Sequence, residues 1–394
     1  MAFTPPLSHT DATRHIDAWL AQALEQGASD LHFESTPAQF QIRCRVDGKL
    51  HLLATTSLDV RDSVLSRLKV LARMDIAEKR LPQDGRIRHT VGHQDIDLRV
   101  SSLPTVLGEK IVLRLLPATD TLPNFAALGL HAGDASTLTS ALKKAHGLLL
   151  FTGPTGSGKT MSLYSCLNHI NSHDINICTV EDPCEIRLEG INQTAVNDKI
   201  HLTFANCLRA LLRQDPDVLM VGEIRDSETA KIATQAAQTG HLVLSTLHAI
   251  DAPGAITRLR FMGVESFNIA SSLTLVVAQR LVRRLCEHCK QPLTPSELAG
   301  HCLNKENPSF KHSVFFKPVG CSRCTLGYRG RIGIFQLMHL TPDLQHHVAQ
   351  AASEQALCNL AQQQGMRTLI QDGWLKAQQG LTSIEEISHL GTDV

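Results

Sequence analysis

The sequence predicts an α/β protein: a parallel sheet with covering helices, preceded by a smaller α+β domain. Three observations carry this expectation. Between residues 148 and 245 four short apolar runs alternate with stretches of helical periodicity, the pattern of a parallel sheet buried on both faces. Between residues 39 and 116 apolar residues instead alternate singly with polar ones, as in strands with one solvated face. Finally, Gly153-Pro-Thr-Gly-Ser-Gly-Lys159-Thr160 follows an apolar run and opens a helical stretch, matching G-x-x-x-x-G-K-[ST] at every fixed position.

Taken in order, Asp11 to Gln26 reads as a helix with the stripe Ile16, Trp19, Leu20, Ala23 and Leu24, closed by Gly27 as the residue past its end. Phe40, Ile42, Cys44 and Val46, then Asp47-Gly48, then Leu50 and Leu52 give a hairpin with a two-residue turn. Val64, Leu65, Leu68, Leu71 and Met74 make a packing helix. A second strand pair turns near Gly92-His93, with Ile96, Leu98 and Val100 alternating against Asp97 and Arg99, and Ile111 to Leu116 is a further strand. Pro117 to Pro123 breaks both periodicities and is the expected linker. The expected domains are therefore 11–116 (α+β), 117–123 (linker), 124–285 (the phosphate-loop core), 286–331 (a Cys-, Pro- and Gly-punctuated insertion) and 332–394 (helical, Gln- and Ala-rich).

The 394 residues with 43% hydrophobic content can bury substantial cores. Lys plus Arg equals Asp plus Glu at 38 each, so no global charge excess draws the chain to nucleic acid or an anionic surface. No apolar run approaches a membrane span and no signal sequence is visible, so a cytoplasmic protein, peripheral at most, is expected. The odd count of 11 cysteines argues for reduced thiols and a metal site over a disulfide framework.

In the phosphate-loop reading, Gly153, Pro154, Thr155, Gly156, Ser157, Gly158, Lys159 and Thr160 form the loop whose backbone N–H groups turn around a nucleotide's phosphates. Lys159 adds positive charge, and the Thr160 hydroxyl is placed to ligate Mg²⁺. Leu163, Leu167 and Ile170 then line one helical face. The bland alternative is a Gly-rich turn with a solvated lysine.

Glu223 ends the run Val218 to Val221. Ligands of open α/β sheets bind beyond the carboxyl ends of the strands, so Glu223 is the candidate that orients or deprotonates an attacking water. Gly222 stands where many phosphate-loop proteins have aspartate, which leaves the Mg²⁺ shell to Thr160 and waters. Glu181 and Glu185, after the run Ile177 to Val180, are the second acidic candidates, with helix-starting acids as the alternative. Thr246 and His248 follow the fourth run, near the same edge.

Cys286-Glu-His-Cys289 and Cys321-Ser-Arg-Cys324 are two C-x-x-C pairs with a long spacer. Four thiolates close a tetrahedral Zn²⁺ shell with no open position, so the site is expected to be structural. Redox dithiols are the rival reading, and Cys302 and His288 are candidate substitute ligands.

The constellation resembles the hexameric secretion ATPases of type II secretion and type IV pilus assembly, from about Ala28 onward. The resemblance is carried by Ala28-Ser-Asp-Leu-His-Phe-Glu34, Leu81-Pro-Gln-Asp-Gly-Arg86, Asp97-Leu-Arg99-Val-Ser-Ser-Leu-Pro104, Gly108-Glu-Lys-Ile-Val-Leu-Arg114 and Val221-Gly-Glu-Ile-Arg-Asp226. It implies a RecA-like core behind a PAS-like first domain, with a zinc-knuckle insertion and C-terminal helices. It also implies that Glu181 to Glu185 is an aspartate box, Glu223 a Walker B glutamate and His241 to His248 a histidine box. Arg86, Arg99 and, third, Arg114 would reach ATP phosphates from the first domain, apt because a guanidinium fork neutralises charge on a transferred phosphoryl group.

What the resemblance implies is a homo-hexameric, ATP- and Mg²⁺-dependent motor with structural Zn²⁺, peripheral on the cytoplasmic face of the inner membrane. Its partner would be a membrane platform protein that polymerises pilus or pseudopilus subunits, with no direct nucleic-acid contact. Assembly members typically carry a further N-terminal domain that docks onto membrane partners, and this sequence begins almost at the second one. The cysteine quartet resembles the assembly or secretion branch, since retraction motors generally lack it. The alternatives are a retraction ATPase, or a nucleotide-dependent regulatory or scaffold protein that does not hydrolyse ATP.

Overall fold

The computed structural model describes residues 12–92, 94–116, 122–300 and 313–390. Asp11, His93, Pro117 to Thr121 and Cys302 from the sequence reading lie outside the described residues. The chain divides into two compact units, Met1–Asp120 with Gly320–Gly330, and Thr121–Val319 with Arg331–Val394.

In the first unit the elements run α1 (Ala12–Glu25), β1 (Ala28–Ser35), β2 (Phe40–Val46), β3 (Lys49–Thr56), α2 (Leu58–Leu71), β4 (Gln83–Val91), β5 (Gln94–Thr105) and β6 (Gly108–Leu116). The strands form an antiparallel sheet in the order β3-β2-β1-β6-β5-β4. Ile16 and Leu20 of α1 and Val64 and Leu68 of α2 pack with Phe33, Phe40, Ile42 and Ile111 in one core, each side chain contributing about 1.5–3 kcal/mol by leaving water. Asp47 and Gly48 have φ of 49° and 85°, the paired positive values of a type I′ hairpin turn.

Two details of the sequence reading change. Leu52 is 59% exposed, while Leu53 and Ala54 pack against the core. The register shifts between Ile42↔Ala54 and Arg43↔Leu52, so Leu53 is an extra residue on β3, and such a bulge turns the following side chains over. Met74 lies beyond the end of α2, because Arg73 takes φ 57° and turns the chain, yet Met74 still enters the same core.

In the second unit come α3 (Phe125–Leu128), α4 (Ala132–Leu142), β7 (Gly147–Thr152), α5 (Lys159–Ile170), β8 (Ile177–Glu181), β9 (Asn192–Ala195), α6 (Phe204–Leu211), β10 (Val218–Val221), α7 (Ser227–Gln238), β11 (Leu242–Leu247), α8 (Ala252–Phe261), α9 (Ser266–Ser272) and β12 (Leu273–Leu285). The short β13 (Gln291–Pro292), α10 (Pro295–Gly300) and β14 (Phe316–Lys317) follow. Last among the described residues come β15 (Tyr328–His339) and the helices α11 (Pro342–Ala349), α12 (Glu354–Gln363), α13 (Leu369–Gln378) and α14 (Ile384–Leu390).

The sheet order is β15-β12-β7-β11-β10-β8-β9, parallel from β12 to β9. Successive residues of β7 enter opposite cores: Leu148 and Leu150 one, Leu149 and Phe151 the other. A strand buried on both faces has no polar side, which is why these strands read as unbroken apolar runs. Because the strands are parallel, Thr152, Glu181, Val221 and Leu247 all end at one edge of the sheet. Among the described residues no helix is long and apolar enough to cross a membrane.

Candidate active site and metal centre

The loop Gly153 to Gly158 joins β7 to α5, and Gly158, with φ 90°, is the N-cap residue of α5. A Cβ on Gly153 would stand 2.4 Å from the Gln279 carbonyl oxygen, and one on Gly158 would stand 2.8 Å from Gln279 Nε2. Gly153 therefore needs glycine for space, and Gly158 needs it for its positive φ. Ser157 Oγ is buried without a hydrogen-bond partner, an orphan that an incoming phosphate oxygen satisfies. Lys159 is buried, and its Nζ donates to Gly153 O at 2.8 Å and Pro154 O at 3.0 Å. Burial, joined by the Arg280 charge and opposed by that of Glu223, lowers its ammonium to about 8. Thr160 is exposed on the first turn, its hydroxyl open to a cation. These residues fit a nucleotide phosphate chain with Mg²⁺.

Glu223 lies just past the carboxyl end of β10. Its carboxylate accepts from Arg225 Nη2 at 2.5 Å and lies 3.5 Å from His248 Nε2, while Arg225 Nη1 also reaches Asp182 at 3.4 Å. Burial opposes the ionised form most strongly, but the Arg225 hydrogen bond and charge, with His248, outweigh it and hold the carboxyl below the usual glutamate range. Such a weak base is better suited to orienting a water than to taking its proton. Gly222 crosses β8 closely: a Cβ there would stand 3.3 Å from Val180 O and 3.4 Å from Glu181 Cα. Thr246 Oγ1 donates to Gly222 O at 2.8 Å.

The acids after β8 are placed differently from one another. Glu181 is 3% exposed, and its oxygens accept from the Tyr164 hydroxyl, from Thr179 Oγ1 at 2.6 Å and from Gln193 Nε2 at 3.1 Å. The Glu185 backbone N–H donates to the same Tyr164 hydroxyl at 3.1 Å. Asp182, between them, is the acid that faces Arg225. His241 sits at the opposite end of β11 from His248, with Nδ1 3.1 Å from Ala236 O. Lys159, Glu223 and His248 are thus brought to one edge, joined by Arg225, to which the sequence reading had given no role. Tyr164 and Gln279 were also missed, because no short motif marks them.

In the first unit Arg86 pairs with Arg99, Arg99 with Arg114, Arg114 with Asp30, and Asp30 with Arg45 across neighbouring strands. Asp30 holds Arg114 at 3.1 Å and Arg45 at 3.8 Å. Directly opposed like charges destabilise a sheet, so three adjacent arginines with one carboxylate form a built cationic row.

The Sγ atoms of Cys286, Cys289, Cys321 and Cys324 all lie within 4.8 Å of one another, with Cys321 and Cys324 3.7 Å apart. Tetrahedral Zn–S bonds of about 2.3 Å place sulfurs about 3.8 Å apart, so the quartet fits that ion. Two independent dithiols would not require such convergence. His288 is outside the quartet.

The profile described as "Type II/IV secretion system protein" matches residues 8–389. The chain belongs to this family. It is 48% identical over 393 residues to a type IV pilus assembly ATPase PilB of Acinetobacter baylyi, covering 96% of this chain and 66% of that one. Identity is 46% to a type II secretion system ATPase E of Vibrio cholerae, over 94% of this chain and 74% of the other. The chain thus spans just under two thirds of the Acinetobacter relative's length. Among solved structures, a pilus retraction motor PilT with bound ADP aligns at TM-score 0.63 and 26% identity, covering 95% of this chain and 96% of that one. The Legionella pneumophila ATPase DotB aligns at TM-score 0.71 over 100% and 98%, and at 20% identity it speaks to fold alone.

Proposed function

We propose that this secretion-family chain is a motor ATPase that hydrolyses ATP to drive assembly of type IV pilus or type II secretion pseudopilus subunits. The observation that carries the reading is the convergence of Lys159, Glu223 and His248 at one sheet edge, in a chain 46–48% identical to relatives named as assembly and secretion ATPases. Lys159 and the loop N–H groups grip the phosphates. Thr160, with waters, would hold Mg²⁺, which would supply neutralising charge to the phosphates. Glu223 orients the attacking water in line with the γ-phosphoryl group, and His248 and Arg225 hold Glu223 ionised. Arg86, Arg99 and Arg114 are the groups that meet the phosphate charge from the first unit; we read the fold of that unit as PAS-like and the core of the second as RecA-like. Zinc in the cysteine quartet is structural, since all four positions are filled by thiolates.

In this reading the protein works as a homo-hexamer on the cytoplasmic face of the inner membrane, and ATP closes the first unit onto the second to move a membrane platform protein. Retraction is the second reading, favoured only by the structural likeness to the retraction motor. A deletion strain scored side by side for surface pili, exoprotein release and DNA uptake tests the assignment: loss of one or more is expected, and hyperpiliation instead would favour retraction.

A further inference from the structure

Strand β12 runs beside β7 with Ala278 opposite Thr152, which sets Gln279 and Arg280 against the point where the phosphate loop leaves the sheet. Gln279 is 1% exposed. Its carbonyl abuts Gly153 and its side-chain amide abuts Gly158, each closer than any Cβ would allow. Its Oε1 accepts from Ser162 Oγ at 2.8 Å on the first turn of α5. One buried residue therefore touches both ends of the loop and the helix that the loop opens. Arg280 extends the connection: Nη1 donates to Gln279 O at 3.2 Å, and Nη2 donates to Ile250 O at 2.6 Å. Ile250 lies two residues past His248.

We propose that Gln279 and Arg280 are a positioning pair that makes the His248-bearing segment respond to the occupancy of the phosphate loop. The inference rests on the nucleotide-binding reading above. A phosphate chain draws Lys159 from the Gly153 and Pro154 carbonyls, to which it now donates, and the freed loop backbone shifts. Close-packed groups transmit such shifts because they have no slack. The Gln279 carbonyl, pressed on Gly153, carries the shift to the Arg280 guanidinium and from there to Ile250. His248, 3.5 Å from Glu223, is thereby set for the oriented water only when nucleotide is present.

Hydrogen–deuterium exchange on the full chain, with and without ADP, reads this coupling without relying on turnover. In the wild-type protein ADP is expected to slow exchange in two segments, 153–162 and 247–251. Arg280→Ala should keep the first protection and lose the second, with kcat for ATP falling about tenfold while KM stays within about twofold. Arg280→Lys, which keeps one donor, should recover part of both. Protection of 247–251 undiminished in Arg280→Ala, or equal losses of kcat and nucleotide affinity that Arg280→Lys does not repair, would overturn the proposal. Absence of ADP protection at 153–162 in the wild-type protein would instead sink the nucleotide-binding reading, and this inference with it.

Discussion

The Arg225 guanidinium donates to the Glu223 carboxylate at 2.5 Å, across a single intervening residue. Burial is the largest influence on Glu223 and pushes its carboxyl up, while the Arg225 hydrogen bond and charge, with His248, bring it below the ordinary range. Activity that needs ionised Glu223 is lost as pH falls through its pKa. Removing Arg225 raises that pKa, so the loss begins at higher pH. We expect Arg225→Gln to move the acid limb of the kcat/KM profile to higher pH, measured by ATP hydrolysis from about pH 4 upward. An unmoved limb would mean that Glu223 does not govern it.

Lys159 offers a second titration. In the nucleotide-free chain its ammonium is lowered to about 8, and phosphate charge restores the protonated form. ADP binding at pH 8 should therefore take up a fraction of one proton, rising toward pH 9 and vanishing by about pH 6.5. Calorimetry in buffers of different ionisation enthalpy measures this. Lys159→Arg, permanently charged, should abolish the uptake.

Tyr164 ties the phosphate-loop helix to the acids beyond β8. Burial and the Glu181 carboxylate push its phenol above the ordinary tyrosine range, so it remains a donor throughout physiological pH. Tyr164→Phe leaves a buried carboxylate short of a donor, at a cost of about 1–3 kcal/mol. A lower thermal midpoint in scanning calorimetry is the expected result. An unchanged midpoint would show that water replaces the hydroxyl.

For the cysteine quartet, purified protein should contain about one zinc per chain, released by mercurial titration of the thiols. Cys321→Ser should abolish stoichiometric zinc, and chelator treatment should lower the thermal midpoint of the wild-type protein to that of the variant. Retention of zinc by Cys321→Ser would indicate a different ligand set.

Much of the fold was legible because burial on both faces writes itself into β7, β8, β10 and β11 as unbroken apolar runs, and because Asp47-Gly48 spells its own turn. The bulge at Leu53 was not legible. An alternation pattern assumes one residue per pleat, and the inserted residue shows only in the pairing with β2. At the site, Lys159 and Glu223 follow from the loop motif and from the end of a strand. The sequence placed Glu181, Asp182 and Glu185 at the same edge without their partners: whether a carboxylate faces a ligand or a buried network depends on Tyr164, 17 residues away from Glu181. Gln279 carries no motif at all. Its place was fixed by β12 lying beside β7, a long-range pairing that local pattern does not reveal.

The central claim, that Glu223 orients the water attacking phosphate held by Lys159, is tested most directly by steady-state phosphate release from Glu223→Gln beside its ADP affinity. The account predicts turnover reduced by about a hundredfold or more with ADP binding within about threefold of wild type, whereas Lys159→Ala loses both. Appreciable hydrolysis by Glu223→Gln would contradict it.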